Sequence, residues 1–128
     1  MKCLEPTDKV KTCYDIFVDA QMDVRGYFKS PIKQERVLLE ILRWYEITEK
    51  QLYQLKYLKV KRLYMFLLHE ISFLDYEKIA KLTNCRYELQ VVQGIEKIRA
   101  VMRKDKDLLL TVGGIIDRLK AYSELYPE

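Results

Sequence analysis

The segment from about residue 60 to residue 71 is the most apolar part of the chain and constrains the fold most. It holds a nearly unbroken series of large apolar side chains, namely Leu63, Tyr64, Met65, Phe66, Leu67, Leu68 and Ile71. A helix that is apolar over most of its circumference is stable only when other elements cover it. We therefore predict that this segment is the central, buried helix of the protein.

Composition limits the elements that can surround this helix. The chain has 128 residues, which suits one domain, and only 4 glycines and 3 prolines. All-β folds and glycine-rich phosphate loops need more turn residues, so an all-α fold is expected. No apolar run approaches the roughly 18 residues that span a bilayer, and residues 1–6 lack the apolar core of a signal peptide. We expect a cytoplasmic protein that does not associate with membranes.

Few residues could build a catalytic or metal-binding site. His69 is the only histidine, and Cys3, Cys13 and Cys85 lack the spacing of metal ligands or redox pairs. The titratable side chains show no convergent grouping. The expectations are free thiols, no metal, no cofactor and no enzymatic activity.

The N-terminal part of the chain is predicted to form a separate extension. Apolar residues recur at helical spacing from Val10 to Met22, and the glycine and proline of residues 26–31 break this pattern. We predict that residues 1–31 form an extension with one amphipathic helix and that residues 32–128 form the body.

Capping residues and periodicity divide the body into helices. Ser30 is expected to cap a helix that starts at Pro31 and ends near Tyr45. The later elements are expected to be a short turn opened by Thr48, a basic and tyrosine-rich connector at 54–62, a short helix at 76–82 capped by Asp75, a longer helix at about 88–102 and a last helix at about 108–122, interrupted or loosened at Gly113 and Gly114.

Positive charge is concentrated in the middle of the chain. Residues 51–106 carry twelve lysines and arginines and six acidic residues, a net charge of +6, whereas the whole chain carries +4. Such asymmetry is typical of a face that binds a polyanion. The alternative, which charge alone favours, is a lysine-rich, solvated helical surface.

Residues 74–102 have the pattern of a helix-turn-helix. A short helix with the small residue Ala80 at its centre is followed by a tight turn and a second helix. The small residue lets the two helices cross closely. The second helix can then project polar side chains from its first turn into a major groove.

Four stretches of the chain carry, in order, the pattern of one family. Residues 36–52 are similar to the opening helix and acidic turn of that family, and residues 61–71 are similar to its Arg-Gln-x-Ala-Met-Tyr-Leu-x-Arg-Glu-Leu helix. Residues 74–82 resemble Leu-Ser-x-x-Glu-Ile-Gly-x-x-Phe, and residues 91–98 resemble Val-x-x-Ala-x-x-Lys-Ile. Residues 33–121 thus resemble the C-terminal DNA-binding domain (domain IV) of the bacterial chromosomal replication initiator DnaA. The resemblance implies an all-α helical bundle with a helix-turn-helix, similar to the Trp-repressor fold, that binds double-stranded DNA.

The sequence departs from the family where DNA is read. The family signature Gly-Arg-Asp-His-Thr-Thr-Val corresponds to residues 84–91 here, where only Val91 and Arg86 keep their character. The chain also has no Gly-x-x-x-x-Gly-Lys-Ser/Thr loop, so no ATPase activity is expected. We expect only a small preference for the initiator's own box sequence over other duplexes.

These observations assign two sets of candidate DNA contacts. The candidates for contacts to bases are Arg86, Tyr87, Gln90 and Gln93. The candidates for contacts to phosphates are Lys56, Lys59, Lys61, Arg62, Lys97, Arg103 and Lys104. The alternative is a protein-protein interaction module that kept the fold and lost the readout residues. Its partner would bind the predicted helix at 7–24 or the connector at 54–62.

Overall fold

The computed structural model describes residues 28–126, which form six α-helices and one 3-10 helix without a β-strand. In chain order these are α1 (Gln34–Tyr45), α2 (Glu49–Leu52), the 3-10 helix (Leu55–Tyr57), α3 (Leu58–Ile71), α4 (Tyr76–Leu82), α5 (Glu88–Lys104) and α6 (Lys106–Leu125). The predicted all-α class is confirmed. Among these helices none is both long and apolar enough to cross a membrane. The amphipathic helix predicted between residues 7 and 24 lies outside the described residues.

Helix α3 is the centre of the core, as its composition predicts. Its six consecutive residues 63–68 are all at most 3% exposed, and they point in every direction around the helix axis. Helices α1, α4 and α5 pack against α3, and α6 closes the bundle against α1 and α5. The inner face of α5 consists of Val91, Ile95, Ile98 and Met102. Val101 is apolar but 37% exposed, because it lies about 90° around the axis from that face.

The chain enters the bundle differently from the prediction. Helix α1 begins at Gln34 rather than Pro31, and Lys33 rather than Ser30 is its N-cap residue. The reason is a contact with the end of α3. The Ile32 N–H donates to the Ile71 carbonyl oxygen at 2.8 Å, and the Ile32 side chain is buried. This bond satisfies a carbonyl that has no partner within α3 and holds the preceding residues out of the helix.

The connector between α2 and α3 is shorter than predicted. Thr48 opens α2 with a reciprocal capping box, in which its Oγ1 accepts from the Gln51 N–H at 3.2 Å, as expected. Helix α3 then starts at Leu58, so Lys59 and Lys61 lie on its first turns rather than in a loop. Lysine is a good helix former, and the basic residues therefore extend the apolar helix backwards.

The two adjacent glycines near the C-terminus do not interrupt a helix. Helix α6 runs without a break from Lys106 to Leu125. A Cβ atom on Gly114 would lie 2.8 Å from Cη2 of Trp44, so glycine is needed here for the close approach of α1 to α6. The prediction of an interruption is wrong because glycine at a helix-helix contact and glycine at a helix break look alike in sequence.

The separability of residues 1–31 stays a prediction, and the structure sharpens its test. Phe28 lies within the predicted extension, yet its side chain is only 5% exposed and belongs to the core. Chains that begin at Gly26 and at Ser30 should both show one cooperative unfolding transition in urea. The second should be less stable by roughly 1.5–3 kcal/mol because it lacks the buried Phe28 ring. An unfolded or aggregated chain beginning at Gly26 would show that the extension is part of the core.

The buried tyrosine Tyr64 should make the fold sensitive to alkali. Its hydroxyl donates to Oε1 of Gln34 at 3.1 Å, and burial raises its pKa above the ordinary value of 10.0. The unfolded chain therefore loses this proton first. The contribution of Tyr64 to the free energy of unfolding is constant below about pH 10 and decreases as the pH rises further.

Tyr64→Phe tests this linkage by urea unfolding from neutral pH to about pH 11. The variant should lose roughly 0.5–1.5 kcal/mol at neutral pH with its hydrogen bond, and its stability should decline less steeply in alkali. Tyr126→Phe is the matched control, since Tyr126 is 60% exposed. Equal alkaline slopes for Tyr64→Phe and the unmodified chain would contradict the assignment.

Candidate nucleic-acid interface

A compact turn joins α4 to α5 and sets the direction of α5. Asp75 caps α4 by accepting from the Lys78 N–H at 2.8 Å, as predicted. At the other end, Asn84 has a left-handed backbone with φ 59°, and the Cys85 N–H donates to the Ala80 carbonyl oxygen at 2.9 Å. This is the arrangement of a Schellman cap. The turn therefore ends α4 sharply and lets the chain reverse into α5 within a few residues.

Small residues let α5 lie close to the helices behind it. Ala80 in α4 is buried, and Gly94 in α5 faces α3. A Cβ atom on Gly94 would lie 2.5 Å from Cε of Met65 and 3.4 Å from Cγ of Arg62. The predicted crossing at Ala80 thus has a second counterpart at Gly94. Together they seat one side of α5 against α3 and α4.

The opposite side of α5 is exposed over its whole length. At about 100° per residue, Leu89, Gln93 and Ala100 lie within about 30° of the direction opposite to the buried face. All three are exposed, and Leu89 is exposed by 61%. We call these three residues the outward stripe. Leu89 was not among the predicted contacts, although the spacing of the apolar residues 91, 95 and 98 already places it opposite the core.

The four candidate base contacts gather at the start of α5 but differ in what they can do. Arg86 and Tyr87 are exposed in the turn, and the Arg86 guanidinium lies 6.0 Å from the Tyr87 ring centre. Oε1 of Gln90 accepts from the Arg86 N–H at 2.7 Å and from the Tyr87 N–H at 3.0 Å, so Gln90 caps the helix. The Gln93 side chain makes no hydrogen bond to another described residue. Gln93 is therefore the better placed of the two glutamines for an outside contact.

The seven candidate phosphate contacts lie in two groups. Lys56, Lys59, Lys61 and Arg62 belong to the 3-10 helix and the first turns of α3, whereas Lys97, Arg103 and Lys104 belong to α5. An ion pair of 3.8 Å between Lys59 Nζ and Asp105 Oδ2 brings the start of α3 to the end of α5. The stem of Arg62 packs over Gly94. The fold therefore brings Lys59 to the end of α5 and Arg62 against its middle, whereas Lys56 and Lys61 lie over the rings of Tyr57 and Tyr53.

Some of the positive charge is used inside the protein. Arg99 donates to Oε2 of Glu70 at 2.8 Å, and Glu70 is only 4% exposed. Nδ1 of His69 lies 3.1 Å from the Leu74 carbonyl oxygen, and its ring stacks on Tyr76 with centres 4.7 Å apart. These contacts hold α3, α4 and α5 together and give His69 a structural role.

A cavity of about 610 Å³ lies elsewhere, between the chain that precedes α1 and the end of α6. The Arg36 guanidinium stacks on the Tyr122 ring there at 3.9 Å, and Leu39 and Tyr126 also line the cavity. None of the candidate DNA contacts borders it. The cavity is thus separate from the surface around α5.

Comparison with known proteins adds no assignment. The sequence matches no protein-family model, and no curated protein and no solved structure matches it.

The capping role of Gln90 predicts a difference between two neighbouring exposed glutamines. Gln90→Ala should lower the free energy of unfolding by about 0.5–2 kcal/mol because two backbone N–H groups lose their acceptor. Gln93→Ala should change it by less than about 0.5 kcal/mol. Urea unfolding of both variants measures the difference. Equal effects would mean that the hydrogen bonds of Gln90 do not stabilise α5.

Proposed function

We propose that the protein binds double-stranded DNA through α5 as a helix-turn-helix of the initiator type, without ATPase activity. The observation that carries this proposal is the outward stripe, because α5 is seated on α3 and α4 and presents its other side to solvent for its full 17 residues. A major groove admits one α-helix held in this way. Most of α5 beyond the turn can approach DNA without any change in the fold.

The positive charges around α5 support the same proposal. Lys97, Arg103 and Lys104 are exposed on α5, and Lys59 is exposed beside its end. Lysine and arginine at the rim of a groove bind phosphates and release counterions, which supplies affinity without sequence preference. Affinity in this protein therefore comes mainly from phosphates.

The resemblance to the initiator family supports double-stranded DNA as the ligand but does not indicate which base sequence is bound. The readout residues of the family are replaced at 84–91, and Glu88 stands in the first turn of α5. Glu88 interacts favourably with the helix dipole there and disfavours phosphate, although it can accept from a cytosine amino group. We expect little preference for the initiator's box over other duplexes.

The salt dependence of duplex binding tests the proposal. If four to six cations contact phosphates, the slope of log affinity against log salt should be about −4 to −5. Replacing Lys59 and Lys61 by glutamine should flatten this slope by about two and weaken binding to all sequences alike. Fluorescence anisotropy with a labelled random duplex gives both values.

Replacing Lys29 and Arg43 by glutamine is the matched control. Both side chains are exposed and lie outside the proposed interface, so the same loss of charge should leave the slope nearly unchanged. The ion pair of Lys59 with Asp105 is exposed, and its loss should cost little stability. An affinity that does not change with salt concentration would refute phosphate contacts as the source of binding.

The second candidate function is a protein-protein interaction module. Leu55 favours it, because this side chain is 85% exposed in the middle of the connector. Burial of this leucine in a partner's surface is favoured by the hydrophobic effect. Absence of duplex binding at low salt would favour this function. Leu55→Ser should leave duplex affinity unchanged if DNA is the ligand.

A further inference from the structure

The outward stripe begins with two side chains of unlike chemistry, one turn apart. Leu89 is 61% exposed, although leucine gains from burial, and nothing in the described part of the fold covers it. Gln93 follows four residues later on the same side, and neither its amide donor nor its amide oxygen bonds to another residue between 28 and 126. Side chains that are exposed at the start of a recognition helix are the ones that contact base edges.

Gln90 cannot share this task in the structure as it stands. Its amide oxygen already accepts two backbone N–H groups, at 2.7 Å and 3.0 Å. A bidentate contact to a base needs the oxygen and the nitrogen of one carboxamide together. Among the other exposed side chains in the first two turns of α5, Gln93 alone carries a carboxamide oxygen and nitrogen. Glu88 carries a carboxylate, and Leu89 carries a hydrocarbon side chain.

We propose that Leu89 and Gln93 give the protein a preference for A·T base pairs, read from the major groove. This inference rests on the proposed function. The carboxamide of Gln93 suits adenine, which offers N7 as acceptor and N6 as donor, and the side chain of Leu89 suits the 5-methyl group of thymine. One helical turn separates the two residues, so they contact neighbouring base pairs on one side of the groove.

Ala100 completes the geometry of this contact. It is the small member of the outward stripe, two turns beyond Gln93, and the exposed side chains of Glu96 and Lys97 lie between the two. Lys97 and Lys104 border the stripe and reach outward towards the phosphates. The base contacts are thus confined to the first turns of α5.

Competition between chemically altered duplexes tests this inference with the full chain. A duplex made only of A·T pairs in mixed order presents the preferred pairs wherever the protein binds. It should compete for the protein about tenfold better than a G·C duplex of equal length. Replacing thymine by uracil removes only the methyl group in the major groove and should weaken binding about fourfold. Replacing adenine by 7-deazaadenine removes the N7 acceptor and should weaken it further.

Two variants assign these effects to their residues. Leu89→Ala should abolish the difference between thymine and uracil, and Gln93→Ala should abolish the effect of 7-deazaadenine. Leu110→Ala is the matched control, because Leu110 is 49% exposed on α6 outside the helix-turn-helix. All three side chains are exposed, so the variants should keep the fold and the salt slope of the unmodified chain.

The outcomes separate this inference from the proposed function. Salt-dependent binding without a preference for A·T would overturn the inference and leave DNA binding intact. A preference for A·T that does not change when uracil replaces thymine or 7-deazaadenine replaces adenine would place the contact in the minor groove. That result would also overturn the inference. Absence of duplex binding at low salt would overturn both.

Discussion

The burial of α3 on all sides is the constraint on which the rest of the structure depends. Its residues 63–68 are all at most 3% exposed, so no single neighbour can cover them. Helices α1, α4 and α5 each take one side, and α6 fills the space between α1 and α5. In this arrangement each outer helix contributes only one of its sides to the core. The exposed side of α5 is therefore a consequence of how α3 is covered.

Two buried carboxylates fix how the outer helices sit. Glu70 on α3 pairs with Arg99 of α5 at 2.8 Å, and Glu40 on α1 pairs with Arg118 of α6 at 2.6 Å. Removing the partner of a buried charge typically costs about 3–5 kcal/mol. These arginines consequently belong to the fold. The net charge of +6 for residues 51–106 counts both Arg99 and Glu70, so their pairing leaves this net charge unchanged and takes only one of the twelve cations from a ligand.

The sequence predicted those parts of the fold that depend on local patterns. The central helix, the caps at Thr48 and Asp75 and the inner face of α5 follow from periodicity and capping chemistry. The errors arose where distant contacts decide. Ile32 stays out of α1 because of a hydrogen bond to Ile71, and Gly114 serves a contact with Trp44. Neither partner can be inferred from neighbouring residues.

The candidate site divides in the same way. Periodicity placed Gln93 on the exposed side of α5, but it could not show that Gln90 is engaged by the backbone of the turn. Leu89 was not predicted as a contact, because an apolar residue in a helix is ordinarily assigned to the core. The spacing of the apolar residues 91, 95 and 98 already defines the opposite face, and the structure adds that α3 and α4 cover the inner one.

Affinity and base readout occupy different parts of α5 in the proposed interface. The cations Lys59, Arg103 and Lys104 surround its end, whereas the base contacts lie in its first turns. Because the core needs only the inner face of α5, the outward residues Leu89 and Gln93 can change without disturbing either the fold or the phosphate contacts, whereas Gln90 caps the helix. A chain of this kind can therefore lose one sequence preference and acquire another while its binding mode persists.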